Sequence, residues 1–199
     1  MAPKPTTRFI LVVAAFAAGL ASVLAVLLVV SKPQAGALSG AAAIGGPFQL
    51  IDQNGRTVTD ADFKGEPFLV FFGFTHCPDA CPTTLLELSD VLDKLGNDAD
   101  KLHALFITID PERDNPDALK DYLSSFNSHL VGLTGDLEAV TTVAKAYHVY
   151  FKKVPLEGGD YTMDHTALVY LMNKDGRFVA PFSLKRSPQD AAADLRRLL

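Results

Sequence analysis

From Phe48 onward the chain alternates between short, almost wholly apolar runs and longer stretches in which apolar residues return every third or fourth position. Phe68 to Phe74 and Leu102 to Ile109 are apolar nearly throughout, the pattern of strands buried on both faces of a sheet. Between them, Leu85, Leu88, Leu92 and Leu95 predict a helix over Pro82 to Leu95 with one buried stripe. Asn115-Pro116 opens a helix through Phe126, with proline in its first turn. Leu130 to Leu133 is a short strand, and Gly135-Asp136 leads into a helix through Tyr147.

Turn chemistry supplies the rest. Asn54-Gly55 joins Phe48 to Ile51 with the stretch after it as a hairpin, because that dipeptide provides the twist of a tight turn. Asn173-Lys174-Asp175-Gly176 joins Ala167 to Met172 with Phe178 to Phe182 in the same way, and Pro188 opens a last helix. His148 to Lys153 is expected to be extended, and Tyr161 to Thr166 is expected to be a turn before the strand that follows. Helices separated by apolar strands, with an antiparallel closing hairpin, predict an α/β, thioredoxin-like fold.

The front of the chain is different. Phe9 to Val30 is uncharged, long enough as a helix to cross a hydrocarbon core of about 30 Å. Lys4 and Arg8 precede it, so the positive-inside tendency keeps residues 1–8 in the cytoplasm and sends everything after Lys32 to the far side. The competing reading is a cleaved signal peptide ending near Ala35-Gly36-Ala37, but the apolar run exceeds the roughly 7 to 15 residues usual there. The expected organisation is therefore a cytoplasmic end (1–8), a transmembrane helix (9–30), a Gly- and Ala-rich linker (31–46) and one domain (47–199). All 23 acidic residues lie after Lys32, which argues against nucleic acid as a partner and suits cationic partners such as metal ions.

Both cysteines of the chain, Cys77 and Cys81, fall in His76-Cys77-Pro78-Asp79-Ala80-Cys81-Pro82, directly after an internal strand. Open α/β sheets place their sites at such carboxyl ends. Free amides at the start of the following helix favour thiolate over thiol, which raises both metal affinity and nucleophilicity. A structural disulfide is the plain alternative, although closing so small a loop stabilises little. The five histidines leave a third ligand open. His76 adjoins Cys77 and suits an outer position, His103 and His129 precede strands where exposure or capping explains them, and His148 sits among tyrosines at a core edge. His165, in Met163-Asp164-His165-Thr166, precedes a strand and can return to the cysteine loop in a thioredoxin-like topology. Asp110-Pro111-Glu112-Arg113-Asp114 clusters carboxylates after a strand, where helix capping and loop charge pairing are the expected roles, with a hard cation or partner contact as the alternative.

Gly73-Phe74-Thr75-His76-Cys77-Pro78-Asp79-Ala80-Cys81-Pro82-Thr83-Thr84, followed by Asp110-Pro111-Glu112-Arg113-Asp114 and then Asp164-His165-Thr166, resembles the Sco/SenC family of copper-binding proteins involved in cytochrome c oxidase assembly. The resemblance covers residues 44–199 together with that family's single N-terminal anchor, and Ala80 stands where the family often has valine. It implies that Cys77, Cys81 and His165 bind one copper ion; from their positions in the chain, Asp164 beside His165 and Asp79 between the cysteines are outer-shell candidates. Two thiolates and an imidazole suit Cu(I), Cu(II) is accommodated with a further oxygen ligand, and zinc accepts the same donors.

The function implied is a copper metallochaperone that assists assembly of the dinuclear copper centre of cytochrome c oxidase subunit II. The alternatives are a thiol-disulfide reductase that uses Cys77 and Cys81 to keep the oxidase cysteines reduced, and a copper or redox sensor. The implied setting is a bacterial inner membrane with the domain in the periplasm. There the partners would be subunit II, a periplasmic copper donor or thiol reductant, and membrane lipid around the helix.

Overall fold

Phe68–Gly73 forms β3, six consecutive buried residues in the interior of a seven-stranded sheet. It pairs in parallel with β4 (His103–Thr108), which pairs in parallel with β5 (Leu130–Thr134). Antiparallel strands complete the sheet. On one side stand β1 (Gln49–Asp52) and β2 (Thr57–Thr59), and on the other β8 (Val169–Met172) and β9 (Phe178–Pro181), in the order β2-β1-β5-β4-β3-β8-β9. This computed structural model describes residues 43–199 and the single residue Gly19. The expected transmembrane helix at 9–30 and most of the 31–46 linker lie outside the described residues, among which no helix is long and apolar enough to cross a membrane.

Four helices cover the sheet: α1 (Ala80–Leu95), α2 (Pro116–Leu123), α3 (Leu137–Ala146) and α4 (Pro188–Arg196). The side of the sheet carrying Phe71, Phe106 and Gly132 meets α1 and α2. A side chain at Gly132 would strike Leu119 and Leu123 of α2, and one at Gly73 would strike Phe106 and Cys81. The other side carries Phe72 and Tyr170, which meet Tyr147 at the end of α3. Each such aromatic side chain contributes on the order of 2 to 3 kcal/mol by burial, so the anchoring of β3 and β4 is far stronger than any surface contact. Asn115, Asp136 and Ser187 cap α2, α3 and α4 by accepting from Ala118, Ala139 and Asp190 backbone N–H groups. A parallel centre, antiparallel flanks and helices on both faces make the mixed α/β, thioredoxin-like fold expected from the sequence.

Three local expectations change. The helix bearing the leucine stripe begins at Ala80, before Pro82, so it includes Cys81 and leaves Cys77 in the entering loop. His148 is exposed with a left-handed backbone (φ 55°), so it ends α3 and is not a residue of the core edge. Tyr161 to Thr166 is not a turn. Tyr161–His165 is strand β7, paired antiparallel with β6 (Phe151–Pro155) in a two-stranded sheet of their own, with Phe151 opposite His165.

Candidate metal centre

Three segments converge at the carboxyl end of β3. The loop after β3 brings Cys77, the first turn of α1 brings Cys81, and the last residue of β7 brings His165. One sulfur from each cysteine and one ring nitrogen lie within 4.8 Å of one another, and among the described residues this is the cluster able to hold a metal ion.

Local structure explains how the sulfurs come together. Asp79 occupies the position before α1, yet its side chain does not cap the helix amides. The backbone N–H of Cys81 donates instead to Cys77 Sγ at 3.4 Å, so a sulfur takes the place that a capping oxygen usually fills. An orphan amide aimed at sulfur accommodates a thiolate or a metal-bound sulfur. Gly73 makes room for the second sulfur. A Cβ there would come within 2.8 Å of Cys81 Sγ and 2.6 Å of the Phe106 ring, closer than real side chains approach.

The two thiols differ. Both are free; Cys77 is half-buried and Cys81 is fully buried. Burial holds the Cys81 thiol well above its ordinary pKa, against a backbone hydrogen bond from Phe74, and charge on Cys77 and Asp114 pushes the same way as burial. Copper-free and at neutral pH, Cys81 is therefore a protonated thiol. Tyr122 of α2 has a buried hydroxyl without a hydrogen-bond partner, and burial above all raises its pKa as well.

His165 presents the complementary group. Its Nδ1 lies 3.0 Å from the carbonyl of Thr166, an acceptor only, so Nδ1 carries the proton and Nε2 offers its lone pair 3.8 Å from Cys81 Sγ. Burial lowers its pKa, opposed by the Thr166 hydrogen bond and the Asp164 charge, which keeps the imidazole neutral as a metal ligand requires. Phe74 packs edge-on against the ring with centroids 5.9 Å apart.

The remaining candidates fall around this centre or away from it. Asp164 is exposed on β7 and paired in register with Lys152, and it acts on His165 through its charge. Asp79 is exposed at the head of α1, with Thr83 Oγ1 at 3.5 Å from its carboxylate. His76 is exposed and bonded to Thr75 Oγ1. His103 and His129 lie elsewhere, beside Glu66 and Asp100 respectively.

Sequence reasoning missed the work of the Asp110–Asp114 segment. It does not cap α2, which Asn115 does, and two of its carboxylates are buried. Asp114 accepts from Thr75 N–H (3.0 Å), Thr75 Oγ1 (2.6 Å) and Thr108 Oγ1 (2.6 Å), so it ties the loop two residues before Cys77 to the end of β4. Loop charge pairing is real, between Asp110 and Arg113. A signal for the β6-β7 hairpin was also present. The alternation Tyr161-Thr162-Met163-Asp164 follows Gly158-Gly159, two glycines with positive φ of the kind a hairpin loop uses.

The chain is similar to known proteins. The SCO1/SenC family model matches residues 36–199. Protein sco1 of Schizosaccharomyces pombe is 40% identical over 171 residues, 84% of this chain and 62% of that one. The human mitochondrial SCO1 homolog is 43% identical over 155 residues, 76% of this chain and 52% of that one. The chain thus spans little more than half the length of these relatives. Among solved structures, Bradyrhizobium japonicum ScoI with copper bound is 64% identical with a TM-score of 0.78, covering 79% of this chain and 100% of that one. Yeast Sco1 with copper bound is 37% identical with a TM-score of 0.71, over 78% of this chain and 87% of that one. A family match over residues 36–199, most of the length, means that the chain belongs to the SCO1/SenC family.

Proposed function

We propose that the protein is a copper metallochaperone that assists assembly of the dinuclear copper centre in cytochrome c oxidase subunit II. One observation carries the reading: two sulfurs and an imidazole nitrogen lie within 4.8 Å of one another at the end of a buried strand. Cys77, Cys81 and His165 are the ligands in this reading. Two soft thiolates with one imidazole form a three-coordinate site suited to Cu(I), the copper being cargo. The copper-bound relatives support the choice of metal.

The chemistry of loading and release follows from the asymmetry of the ligands. Copper held by two thiolates displaces the thiol protons to water, the buried Cys81 proton among them, while neutral His165 binds through Nε2 without losing one. Release begins at Cys77, the sulfur within reach of solvent, where an incoming acceptor thiolate takes its place; Cys81 follows last.

The apolar run at 9–30 serves as a single-pass anchor in a bacterial inner membrane in this reading, leaving the lipid around it and the 47–199 domain in the periplasm on the 31–46 linker. A periplasmic donor supplies the copper.

The exposure difference between the cysteines also favours a second reading, thiol-disulfide exchange. Cys77 thiolate attacks an acceptor disulfide, forming a mixed disulfide and releasing one acceptor thiolate. Cys81 then attacks Cys77 sulfur, its proton passing to the departing acceptor sulfur, which releases the second acceptor thiol and leaves a Cys77–Cys81 disulfide that a periplasmic thiol reductant reduces back to two thiols.

The test is anaerobic copper loading followed by X-ray absorption on wild type and His165→Ala, then transfer to a reduced, copper-free subunit II fragment. The expected wild-type result is one copper per chain with two sulfurs and one imidazole, the imidazole missing in the variant, and copper recovered on the fragment. An unchanged copper environment in His165→Ala removes His165 from the ligand set. Absence of transfer, with an independent donor succeeding in parallel, rejects delivery, and a trapped mixed disulfide from Cys81→Ser then favours exchange.

A further inference from the structure

The Asp110–Asp114 loop grips both segments that carry the donor atoms. Asp114 holds the cysteine loop through Thr75. Three residues of the same loop hold the other segment. Arg113 Nε donates to Asp110 Oδ2 at 2.5 Å, and Arg113 Nη1 donates to the backbone carbonyl of Tyr161 at 3.1 Å and to Asp160 at 3.4 Å. The guanidinium lies 3.8 Å from the centre of the Tyr161 ring, and the Tyr161 hydroxyl donates back to Asp110 Oδ1 at 2.9 Å. Glu112 accepts from Lys153 of β6, whose ammonium sits 3.9 Å from the same ring.

Tyr161 opens β7 and His165 closes it. Residues two apart on a strand share a face, so Tyr161, Met163 and His165 point the same way. The hairpin shares no backbone ladder with the seven-stranded sheet, and Met163 is its one buried residue among the described positions of β6 and β7. The hairpin's place is set by the packing of Phe151, Met163 and Tyr161 on the core and by the contacts to the Asp110–Asp114 loop. Arg113 makes its contacts with a planar fork that a lysine cannot reproduce. It also leaves Nη2 buried without a hydrogen-bond partner, a cost that an aliphatic residue packed at the same spot would avoid. The guanidinium further lies 6.0 Å from the centre of Phe74, the ring that packs on His165.

We propose that Arg113 is a positioning residue for His165: bonded to the Tyr161 carbonyl and stacked on its ring, it fixes the near end of β7 so that the far end delivers the imidazole to the two sulfurs. The inference rests on the copper-site reading above. Without the clip the hairpin remains folded on itself, and the imidazole spends less time within bonding distance of the metal.

A double-mutant cycle tests this. Cu(I) affinity is measured by competition with a chromophoric chelator for reduced wild type, Arg113→Met, His165→Ala and the double variant. Arg113→Met is expected to weaken binding about 10-fold when His165 is present, as loss of outer-shell support does elsewhere. In the His165→Ala background it should change affinity by less than about twofold, because nothing is left to position. X-ray absorption of Arg113→Met should keep both sulfurs and lose imidazole scattering, and added free imidazole should recover the wild-type signature. Equal weakening in both backgrounds, or none in either, overturns the proposal. Wild type lacking imidazole scattering strikes the ligand set itself, a distinguishable failure. Should Arg113→Met not fold, Tyr161→Phe, which loses only the hydroxyl bond to Asp110, is carried through the same cycle. A weakening that depends on His165 supports the clip, and one independent of it overturns the clip.

Discussion

The cysteine loop and the histidine hairpin carry parts of one centre, yet the fold holds them by different means. Cys81 sits in the first turn of α1 against Gly73 and Phe106, inside a core of aromatic and aliphatic side chains, and cannot move without disturbing the sheet. His165 sits on a two-stranded sheet with one fully buried residue, Met163, and is held by that residue, by half-buried Phe151 and Tyr161 at the edge of the core, and by polar and cation–aromatic contacts to the Asp110–Asp114 loop. Local stability follows packing, so the sulfur pair is preset and the imidazole is the adjustable partner. Under the proposed copper-carrying role, such a division lets the sulfurs keep their spacing while the imidazole sets how tightly the cargo is held.

The largest predicted effect comes from filling the space that keeps the sulfur in place. Gly73→Ala puts a methyl group where Phe106 and Cys81 Sγ already stand, at 2.6 and 2.8 Å. One of them has to move. The expected cost is about 1 to 3 kcal/mol of stability, the range for overpacking a close-packed interior, with weaker Cu(I) binding even in a His165→Ala background. Urea denaturation and chelator competition measure the two. A variant as stable as wild type with unaltered copper affinity would mean that the sulfur side is as adjustable as the hairpin, and the contrast would fall.

Titration separates the two regions next. The folded, copper-free protein holds the Cys81 proton to higher pH than the unfolded chain does, because burial penalises the thiolate. Below an ordinary thiol pKa of about 8.5 both states are protonated and stability is insensitive to this group. Above it the unfolded chain ionises first, so stability falls as pH rises, by at most about 1.4 kcal/mol per pH unit from this one thiol. His165 has the opposite sign. Its lowered pKa means the unfolded chain takes up a proton first as pH drops below about 6.5, and stability is lost toward acid. Anaerobic denaturation of the reduced protein from pH 5 to 10 should show both limbs. Cys81→Ala should flatten the alkaline limb and His165→Ala the acid one. An alkaline limb unaltered in Cys81→Ala rejects the buried, protonated thiol.

The same division governed what could be read from the chain. Strands β3 and β4, buried on both faces, announced themselves by continuous apolar runs, and α1 by its leucine stripe, because packing against a core imposes periodicity. Cys77 and Cys81 were legible for the same reason, lying where an apolar strand meets a helix. The hairpin fully buries only Met163, so Phe151–Pro155 and Tyr161–His165 left only a weak alternation and a Gly-Gly loop, and β7 passed for a turn. His165 became a ligand candidate of weight through family resemblance, since no local pattern reports a contact 84 residues away. Asp110, Arg113 and Asp114 were legible as charge pairing, while their joint grip on Thr75 and Tyr161 depends on tertiary geometry that spacing does not encode.

The smallest predicted effect sharpens the contrast most, because it touches the hairpin and nothing in the core. Lys153 is exposed on β6, bonds Glu112 at 2.7 Å and places its ammonium over the Tyr161 ring. Lys153→Met keeps the long apolar stem against the ring and removes the charge, so packing is retained while the outermost contact of the clip is lost. Exposed ion pairs contribute little, and global stability should not change measurably. The expected result is local: amide hydrogen exchange within β6 and β7 faster by about two- to threefold, with β3 and β4 unchanged, and a small rise in the Cu(I) dissociation rate. Salt should imitate the variant in wild type, because screening weakens an exposed pair and leaves the Arg113 contacts beneath it largely intact. Faster exchange in β3 as well would mean that the hairpin and the sheet open together. The imidazole and the sulfurs would then be held by one cooperative unit, against the division of labour inferred from their packing.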